Sequence, residues 1–182
     1  MGRTTKRKPR PPLTADSLGE LALFYVGRFA TTRAKLKSYL QRKVRERGWD
    51  GEQGPDVDSI AERFAVQGYI DDAAYALSKS RSLTSRGYGL RRVEHSLRSA
   101  GIEEGDGAAA RELAQEDCVQ SALRFAERRR LGPFASQATA DPKARQRALA
   151  AMLRAGHGFG LSRAILDLPP GASIDPATLS GN

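Results

Sequence analysis

Cysteine is nearly absent from this sequence, in which Cys118 is the single example. One cysteine cannot form an internal disulfide, so disulfide-stabilised secreted domains are excluded, and a reducing cytoplasm is the expected location. Histidine is almost as scarce, because His95 and His157 are the only two and lie far apart along the chain. Neither has a second cysteine or histidine at metal-ligand spacing beside it. We therefore expect no metal site and no catalytic histidine.

Long apolar runs and aromatic side chains are also lacking. Glu20, Gly27 and Arg28 interrupt the most apolar stretch behind the basic N-terminus, so we expect neither a signal peptide nor a membrane span. Aromatic residues make up 7% of the 182 residues, which argues against one large core. Several small helical cores in series fit this composition better.

Acidic residues are outnumbered, with 21 Asp and Glu against 30 Lys and Arg, which gives a formal net charge of +9. A basic soluble chain indicates a polyanionic partner, most often nucleic acid. A polybasic membrane-surface protein would need an amphipathic helix whose bulky apolar residues are not used in a core, and none is evident. Residues 1–16 begin with cations and prolines, and we predict that they form a disordered basic tail.

Nine helices are predicted from apolar residues that recur at helical spacing and from the residues at their boundaries. Ser17 and Glu20 have the spacing of a capping box at the first helix, and Asp141 precedes a proline at the start of the eighth. Helix ends written as glycine followed by Trp49, Tyr69, Ile102 or Phe159 suggest an internal repeat.

The predicted fold class is therefore all-α. Three tandem three-helix modules, at 17–68, 71–115 and 117–168, are expected to stack into an elongated, curved body. Residues 169–182 are expected to form a loose C-terminal tail.

The most informative stretch covers residues 68–102 and contains two predicted helices separated by the corner Gly87-Tyr88-Gly89. The outward faces of both helices are basic and are opposed by Glu94 alone. A flexible, aromatic corner flanked by cations suits a single nucleic-acid strand, because bases stack on rings and phosphates pair with arginine. The DNA-binding residues predicted here are Lys79, Arg81, Arg86, Tyr88, Arg91, Arg92 and Arg98. The alternative is a solvated helix surface, which is the more frequent meaning of such a charge run.

A second, weaker set of candidates lies on the most basic predicted helix. These DNA-binding candidates are Arg33, Lys37, Arg42 and Arg45. Basic regions at 28–47 and 79–98 alternate with acidic regions at 50–62 and 103–117. If equivalent helices stack on the same side, this alternation would put cations and acids on opposite faces.

The central stretch resembles the main motif of the RecX family, which are bacterial regulators of the RecA recombinase. The resemblance rests on Gly-Tyr-Ile-Asp-Asp at 68–72, Ala76, Arg86-Gly87-Tyr88-Gly89, Arg91-Arg92 and the ending Leu97…Gly101-Ile102, and it extends in weaker form from Leu18 to Leu168. The sequence departs from the family at Leu90, where proline is usual, and at Tyr75, which is often phenylalanine. It also has Ala155-Gly156-His157 where the family tends to be basic, so we predict no binding residue there.

The resemblance implies a tandem three-helix protein that binds the RecA–single-stranded DNA filament. It implies inhibition of RecA ATPase and strand exchange, and so a role in homologous recombination, DNA repair and the SOS response. The expected partners are the RecA filament and single-stranded DNA, with double-stranded DNA as a further candidate. We expect a cytoplasmic monomer without cofactor, metal or membrane.

Two other functions stay open. A helix-turn-helix transcriptional regulator would also contain paired short helices, although the helix from Leu90 offers mainly arginine, which suits phosphate more than a base code. A non-hydrolytic adaptor would use protein contacts only. The Gly87-Tyr88-Gly89 corner lacks the strand and third glycine of a dinucleotide-binding motif, and Asp71 and Asp72 suit helix capping as well as a metal pair. We therefore expect a binding protein and not an enzyme.

Overall fold

The computed structural model describes residues 10–138 and 141–179, and these form α-helices without a β-strand. The helices are α1 (Ala15–Arg28), α2 (Arg33–Arg47), α3 (Val57–Val66), α4 (Asp72–Thr84), α5 (Leu90–Ser99), α6 (Ala108–Glu116), α7 (Cys118–Arg129), α8 (Pro142–Arg154), α9 (Phe159–Asp167) and α10 (Pro176–Leu179). A 3₁₀ turn at Gly132–Phe134 follows α7. The all-α prediction is confirmed, and the predicted helices correspond to α1 to α9 with shifted ends.

Short polar side chains cap the N-termini of several helices, as their positions in the sequence predict. Thr32 accepts a hydrogen bond from the backbone N–H of Lys35 at 3.1 Å, and Asp56 accepts one from Ser59 at 2.9 Å. Asp141 in the same way accepts from the N–H groups at the start of α8, beside a proline in its first turn. Each such bond satisfies a donor that the helix itself leaves unpaired.

The start of α1 differs from its prediction, because Thr14 and not Ser17 is the N-cap. Thr14 Oγ1 accepts from the backbone N–H of Ser17, whose own hydroxyl accepts from the backbone N–H of Thr14. Leu13 is fully buried. Residues 13–16 therefore belong to the folded protein and not to the predicted disordered tail, while residues 1–9 of that tail lie outside the described part of the chain.

The first of two compact units ends at Asp72 and is built from α1, α2 and α3. Its core consists mainly of Leu18, Ala22, Leu36, Leu40, Ile60, Ala61 and Phe64. The segment before α1 is held by a β-bridge between Leu13 and Trp49, in which Leu13 N–H donates to Gly48 at 3.0 Å and Asp50 N–H donates to Leu13 at 2.8 Å. Buried Leu13 thus closes one side of this core.

The second compact unit begins at Ala73 and contains two hydrophobic cores. One core gathers residues of α4, α5 and α6, among them Ala76, Leu83, Val93, Leu97, Ala110 and Ala114. The other gathers residues of α7 to α10, among them Ala122, Phe125, Met152, Leu161 and Ile165. Tyr88 packs against both cores. Three cores are compatible with three modules, but the compact units number two, so the division into modules stays a prediction.

The segment after α9 is not the loose tail that the sequence suggests. Gly171 N–H donates to the carbonyl of Pro133 at 2.8 Å, and α10 packs against α7 and α9. The side chain of Leu179 is buried in the core of these helices, with 6% of the residue exposed. Residues 169–179 of the predicted tail therefore contribute to the second unit, whereas its residues 180–182 lie outside the described part of the chain.

Leu179→Ala should lower the free energy of unfolding by about 2 kcal/mol, because it removes a buried side chain and leaves a cavity beside α7 and α9. Urea unfolding followed by circular dichroism would measure the loss. Ala177→Ser, at an exposed position in the same helix, is the control and should leave the midpoint nearly unchanged. Equal midpoints for both variants would mean that the segment after α9 is a loose tail that does not stabilise the second unit.

Along the described ranges, no helix combines the length and the apolar character needed to cross a membrane.

Candidate nucleic-acid interface

The corner between α4 and α5 is closely packed and not flexible, contrary to the sequence prediction. Gly87 has a φ of 76°, which suits glycine, and an added Cβ would lie 2.9 Å from the backbone nitrogen of Phe125. At Gly89 an added Cβ would lie 2.5 Å from the carbonyl oxygen of Gly156. The two glycines of the corner are therefore required because the backbones of α7 and of the α8–α9 loop approach so closely.

Backbone hydrogen bonds join the same corner to the end of α8. The N–H of Gly89 donates to the carbonyl of Ala155 at 3.0 Å, and the N–H of Arg91 donates to Gly156 at 3.2 Å. No side chain caps α5. The carbonyls of Ala155 and Gly156, which directly follow α8, instead accept from donors at the start of α5, so the two segments satisfy each other's backbone groups.

His157 adds a further contact to this α5–α8 joint, by which the corner is bonded to the end of α8. Its Nε2 lies 3.1 Å from the carbonyl oxygen of Gly87, and since a carbonyl can only accept, Nε2 carries the proton. The residue is buried, with 2% exposed, and its ring lies 5.6 Å from that of Phe125. Burial lowers the pKa of His157, and the hydrogen bond to Gly87 partly opposes that shift. The sequence predicts no role for His157, because the residue whose carbonyl it contacts lies 70 positions away.

The second unit is expected to lose stability as the pH falls through 6.5, the ordinary pKa of histidine. The pKa of His157 is lower in the folded protein than in the unfolded chain, so the unfolded chain binds the proton first. Stability therefore falls as the pH drops, and it levels off once the pH is below the folded pKa. His157→Gln keeps a donor for the Gly87 carbonyl but cannot titrate. Thermal unfolding from pH 7 to 5 should therefore show a shallower loss of stability in the variant than in the wild type. Parallel curves would mean that another group controls the effect.

A basic groove lies on the outer side of the corner, between α4 and α5. It has a volume of about 270 Å³. It is lined by Lys79, Leu83, Arg86, Tyr88, Arg92, His95, Ser96 and Ser99. The structure thus brings together Lys79, Arg86, Tyr88 and Arg92 of the predicted set and adds His95 to them. Arg81, Arg91 and Arg98 are exposed on the same two helices but do not line the groove.

Two arginines of the groove lie over the ring of Tyr88. The Cζ atom of Arg86 is 5.5 Å from the ring centroid and that of Arg92 is 5.9 Å from it. Tyr88 itself is half-buried. Cation–π attraction of this kind holds guanidinium groups near an aromatic face without neutralising them.

The cations predicted on α4, α5 and the corner have no acidic partner among the residues that the structure describes. Within residues 10–138 and 141–179, no carboxylate forms an ion pair with Lys79, Arg81, Arg86, Arg91, Arg92 or Arg98. Like charges gathered without a neutralising partner repel each other, so a bound anion would stabilise them. This surface is consequently the strongest candidate for a polyanion site.

The weaker set on α2 is different, because three of its four members, Arg33, Lys37 and Arg42, pair with acids. Arg33 Nε donates to buried Asp72 at 3.0 Å, and Lys37 Nζ lies 2.9 Å from Asp58. Both cations also reach Glu62, at 3.5 and 3.7 Å. The hydrogen bond with Asp58 raises the pKa of Lys37. Regions 28–47 and 50–62 therefore meet in ion pairs, and the expectation of opposite faces is wrong here.

The other two members of the α2 set are exposed. Arg42 lies 3.7 Å from Glu46 and over the ring of Tyr39, while Arg45 makes no ion pair with any described residue. A hydrogen bond from Lys43 lowers the pKa of Glu46. Partial neutralisation makes this set a weaker anion site than the groove.

Arg128 is a basic residue that the sequence analysis missed. It stands near the end of α7, and its Nη1 donates to the backbone carbonyl of Arg86. The guanidinium groups of Arg128 and Arg129 lie 5.6 and 5.8 Å from the ring centroid of Phe125. A run of arginines at a helix end is a weak signal by itself, because such cations also stabilise the helix dipole. Only the fold shows that Arg128 reaches the corner.

A curated protein from Myxococcus xanthus (strain DK1622), named "Regulatory protein RecX", is 32% identical to this chain over 93% of its length and 97% of the relative. The chain belongs to the RecX family. A RecX of the same name from Xanthomonas campestris pv. campestris (strain B100) is 29% identical over 68% of this chain and 72% of that protein. No protein-family profile matches the chain.

Solved RecX structures share the fold. RecX from Lactobacillus salivarius superposes with a TM-score of 0.59 and 18% identity, covering 83% of this chain and 93% of its own. A second structure, described as regulatory protein RecX, has a TM-score of 0.58 and 23% identity, with 84% and 71% covered. The all-α fold is thus that of RecX proteins, and the family resemblance drawn from residues 68–102 is confirmed. The assignment of individual DNA-binding residues stays a prediction.

Proposed function

We propose that this RecX-family regulator acts on RecA by binding the RecA–single-stranded DNA filament and inhibiting its ATPase and strand-exchange activities. The observation that carries the proposal is the set of unpaired cations around a rigid corner in the second unit. Fixed cations without carboxylate partners suit a sugar-phosphate strand. We propose RecA as the protein partner because the family resemblance implies it.

We propose that the protein acts by binding and does not make or break covalent bonds. In the described ranges, no group of three or more histidine, cysteine, aspartate or glutamate side chains could hold a metal ion. The relatives are named regulatory proteins, which is consistent with a binding role. We propose a cytoplasmic monomer that needs no cofactor and that modulates recombination and DNA repair.

RecA ATPase on single-stranded DNA, titrated with this protein, tests the proposal. The rate should fall in a saturable way as the protein is added, and strand exchange should slow over the same range. A parallel titration without RecA would measure direct binding to labelled single strands. An unchanged ATPase rate at concentrations that saturate the strand would overturn the RecA part of the proposal.

The helix-turn-helix alternative gains no support from the structure. The exposed residues of α5 are Arg91, Arg92, His95, Arg98 and Ser99. Arginine can read guanine, but α5 exposes no asparagine or glutamine that would read adenine, and its cations suit phosphate equally well. Binding to one duplex sequence far more tightly than to random duplex would reverse this preference.

A further inference from the structure

We propose that the basic groove binds the phosphate backbone and not the bases, and that Tyr88 positions Arg86 and Arg92 as a phosphate clamp to which Arg128 contributes. This inference rests on the proposed function only for the identity of the polyanion, since the clamp would hold any chain of phosphate groups. It replaces the expectation that Tyr88 stacks on a base.

The surroundings of Tyr88 leave little room for stacking. The ring is half-buried, and it packs against both cores of the second unit. Two guanidinium groups already lie over it, at 5.5 and 5.9 Å from its centroid. A base that stacked on this ring would have to displace them. The ring therefore serves as a support that sets the positions of Arg86 and Arg92.

Arg128 brings a third guanidinium group to the same corner. Its Nη1 donates to the backbone carbonyl of Arg86, which holds the group at the corner, next to the residues that line the groove but not among them. Arg128 makes no ion pair with any residue in the described ranges. Its remaining N–H groups are available to an anion, and guanidinium groups bind phosphate oxygens in a two-pronged manner.

The remaining lining of the groove also suits phosphate. Lys79 adds a fourth cation, and the hydroxyl of Ser96 adds a neutral donor. The volume of about 270 Å³ is below the range of about 300–1,000 Å³ that is typical of pockets for whole small molecules. The groove is therefore large enough for a phosphate with part of its sugar.

The rigid joint below the corner explains how the clamp keeps its shape. The carbonyl of Gly87 accepts from His157, and the N–H of Gly89 donates to Ala155. The residues on both sides of Tyr88 are thereby fixed to the loop between α8 and α9. A preorganised site loses less entropy on binding than a flexible corner would.

Two labelled strands of equal length distinguish the clamp from a stacking site: one carries normal bases and the other carries abasic sugars throughout. The wild-type protein should bind both within about threefold, because both present the same phosphates. Stacking would instead favour the strand with bases by on the order of tenfold per base. A loss of that size on the abasic strand would overturn the proposal, and so would failure to bind either strand.

Variants test the assigned residues on the same two strands. Arg128→Gln should weaken binding of both strands by about fivefold to tenfold and reduce the slope of log affinity against log salt by about 1. Arg63→Gln removes the same charge from an exposed position on α3 and is the control. Tyr88→Leu should weaken both strands equally, and Tyr88→Phe, which keeps the ring, should restore the affinity. Equal effects of Arg128→Gln and Arg63→Gln would exclude Arg128 from the site.

Circular dichroism would identify any variant that does not fold, and Arg128→Gln tests the proposal even if Tyr88→Leu is unstable. The proposal that the protein acts on RecA and the proposal of a phosphate clamp can be disproved independently of each other. If both strands bind as expected while RecA ATPase stays unchanged, the clamp stands and the proposed function is wrong.

Discussion

Gly156→Ala is expected to lower the free energy of unfolding of the second unit by about 3 kcal/mol or more. Gly156 has a φ of 98°, a backbone conformation that other residues rarely adopt. An added Cβ would also lie 2.5 Å from the backbone nitrogen of Arg92 and 2.9 Å from the carbonyl oxygen of Gly89. Because both contacts are with backbone atoms, no side chain can move aside to relieve them.

Gly158→Ala is the matched control, two positions further along the same loop. A Cβ there would meet no atom within 4 Å, and φ is −68°. Its cost should stay below about 1 kcal/mol, the usual effect of alanine at an N-cap. Urea unfolding followed by circular dichroism compares the two, and hydrogen exchange of α5 and α8 would locate the damage. Similar midpoints for both variants would show that the α5–α8 joint is not tightly packed.

Arg86→Glu combined with Arg92→Glu should weaken single-stranded DNA binding by about a hundredfold near 0.1 M salt. If four to six cations of the predicted set meet phosphate, log affinity should fall with log salt at a slope near −3 to −4. The double reversal removes two such contacts and adds two repulsive charges, so the slope should become shallower by about 2. Titration of a labelled strand by fluorescence anisotropy at several salt concentrations measures both quantities.

Arg42→Glu combined with Arg45→Glu changes the net charge by the same amount on α2. Arg42 already lies near Glu46, and we expect this pair of changes to weaken binding by less than tenfold. The comparison separates a defined groove from attraction to a basic protein in general. If the two double variants lose equal affinity, net charge and not the groove explains the binding.

Helix boundaries were the most predictable part of the fold, because the signals are local. Thr32, Asp56 and Asp141 lie next to the N–H groups that they cap, so their roles follow from a few neighbouring residues. Leu13 and Leu179 were not predicted as core residues. Each lies in a short segment without helical periodicity, and only its contacts with distant helices bury it.

The candidate site was predicted in part. Lys79, Arg86 and Arg92 meet in the groove because the two helices on either side of a short corner are close in sequence and in space. His157 comes from the α8–α9 loop and Arg128 from α7, both far along the chain, and no local sequence pattern indicates such contacts. The ion pairs were not predicted either, because nothing in the sequence of α2 indicates that Asp58 and Glu62 of α3 neutralise part of its positive charge.

The contact between Gly89 and Gly156 has a consequence for any attempt to replace α7 to α9 with helices of another protein. A three-helix segment grafted from another protein in place of α7 to α9 would have to present a glycine, in the same left-handed backbone conformation, to the start of α5. Matching the apolar residues of the graft would not be enough, because any side chain there would collide with a neighbouring backbone. Replacement of α7 to α9 is therefore limited by the backbone of the α8–α9 loop where it meets the start of α5, and not by the helix cores alone.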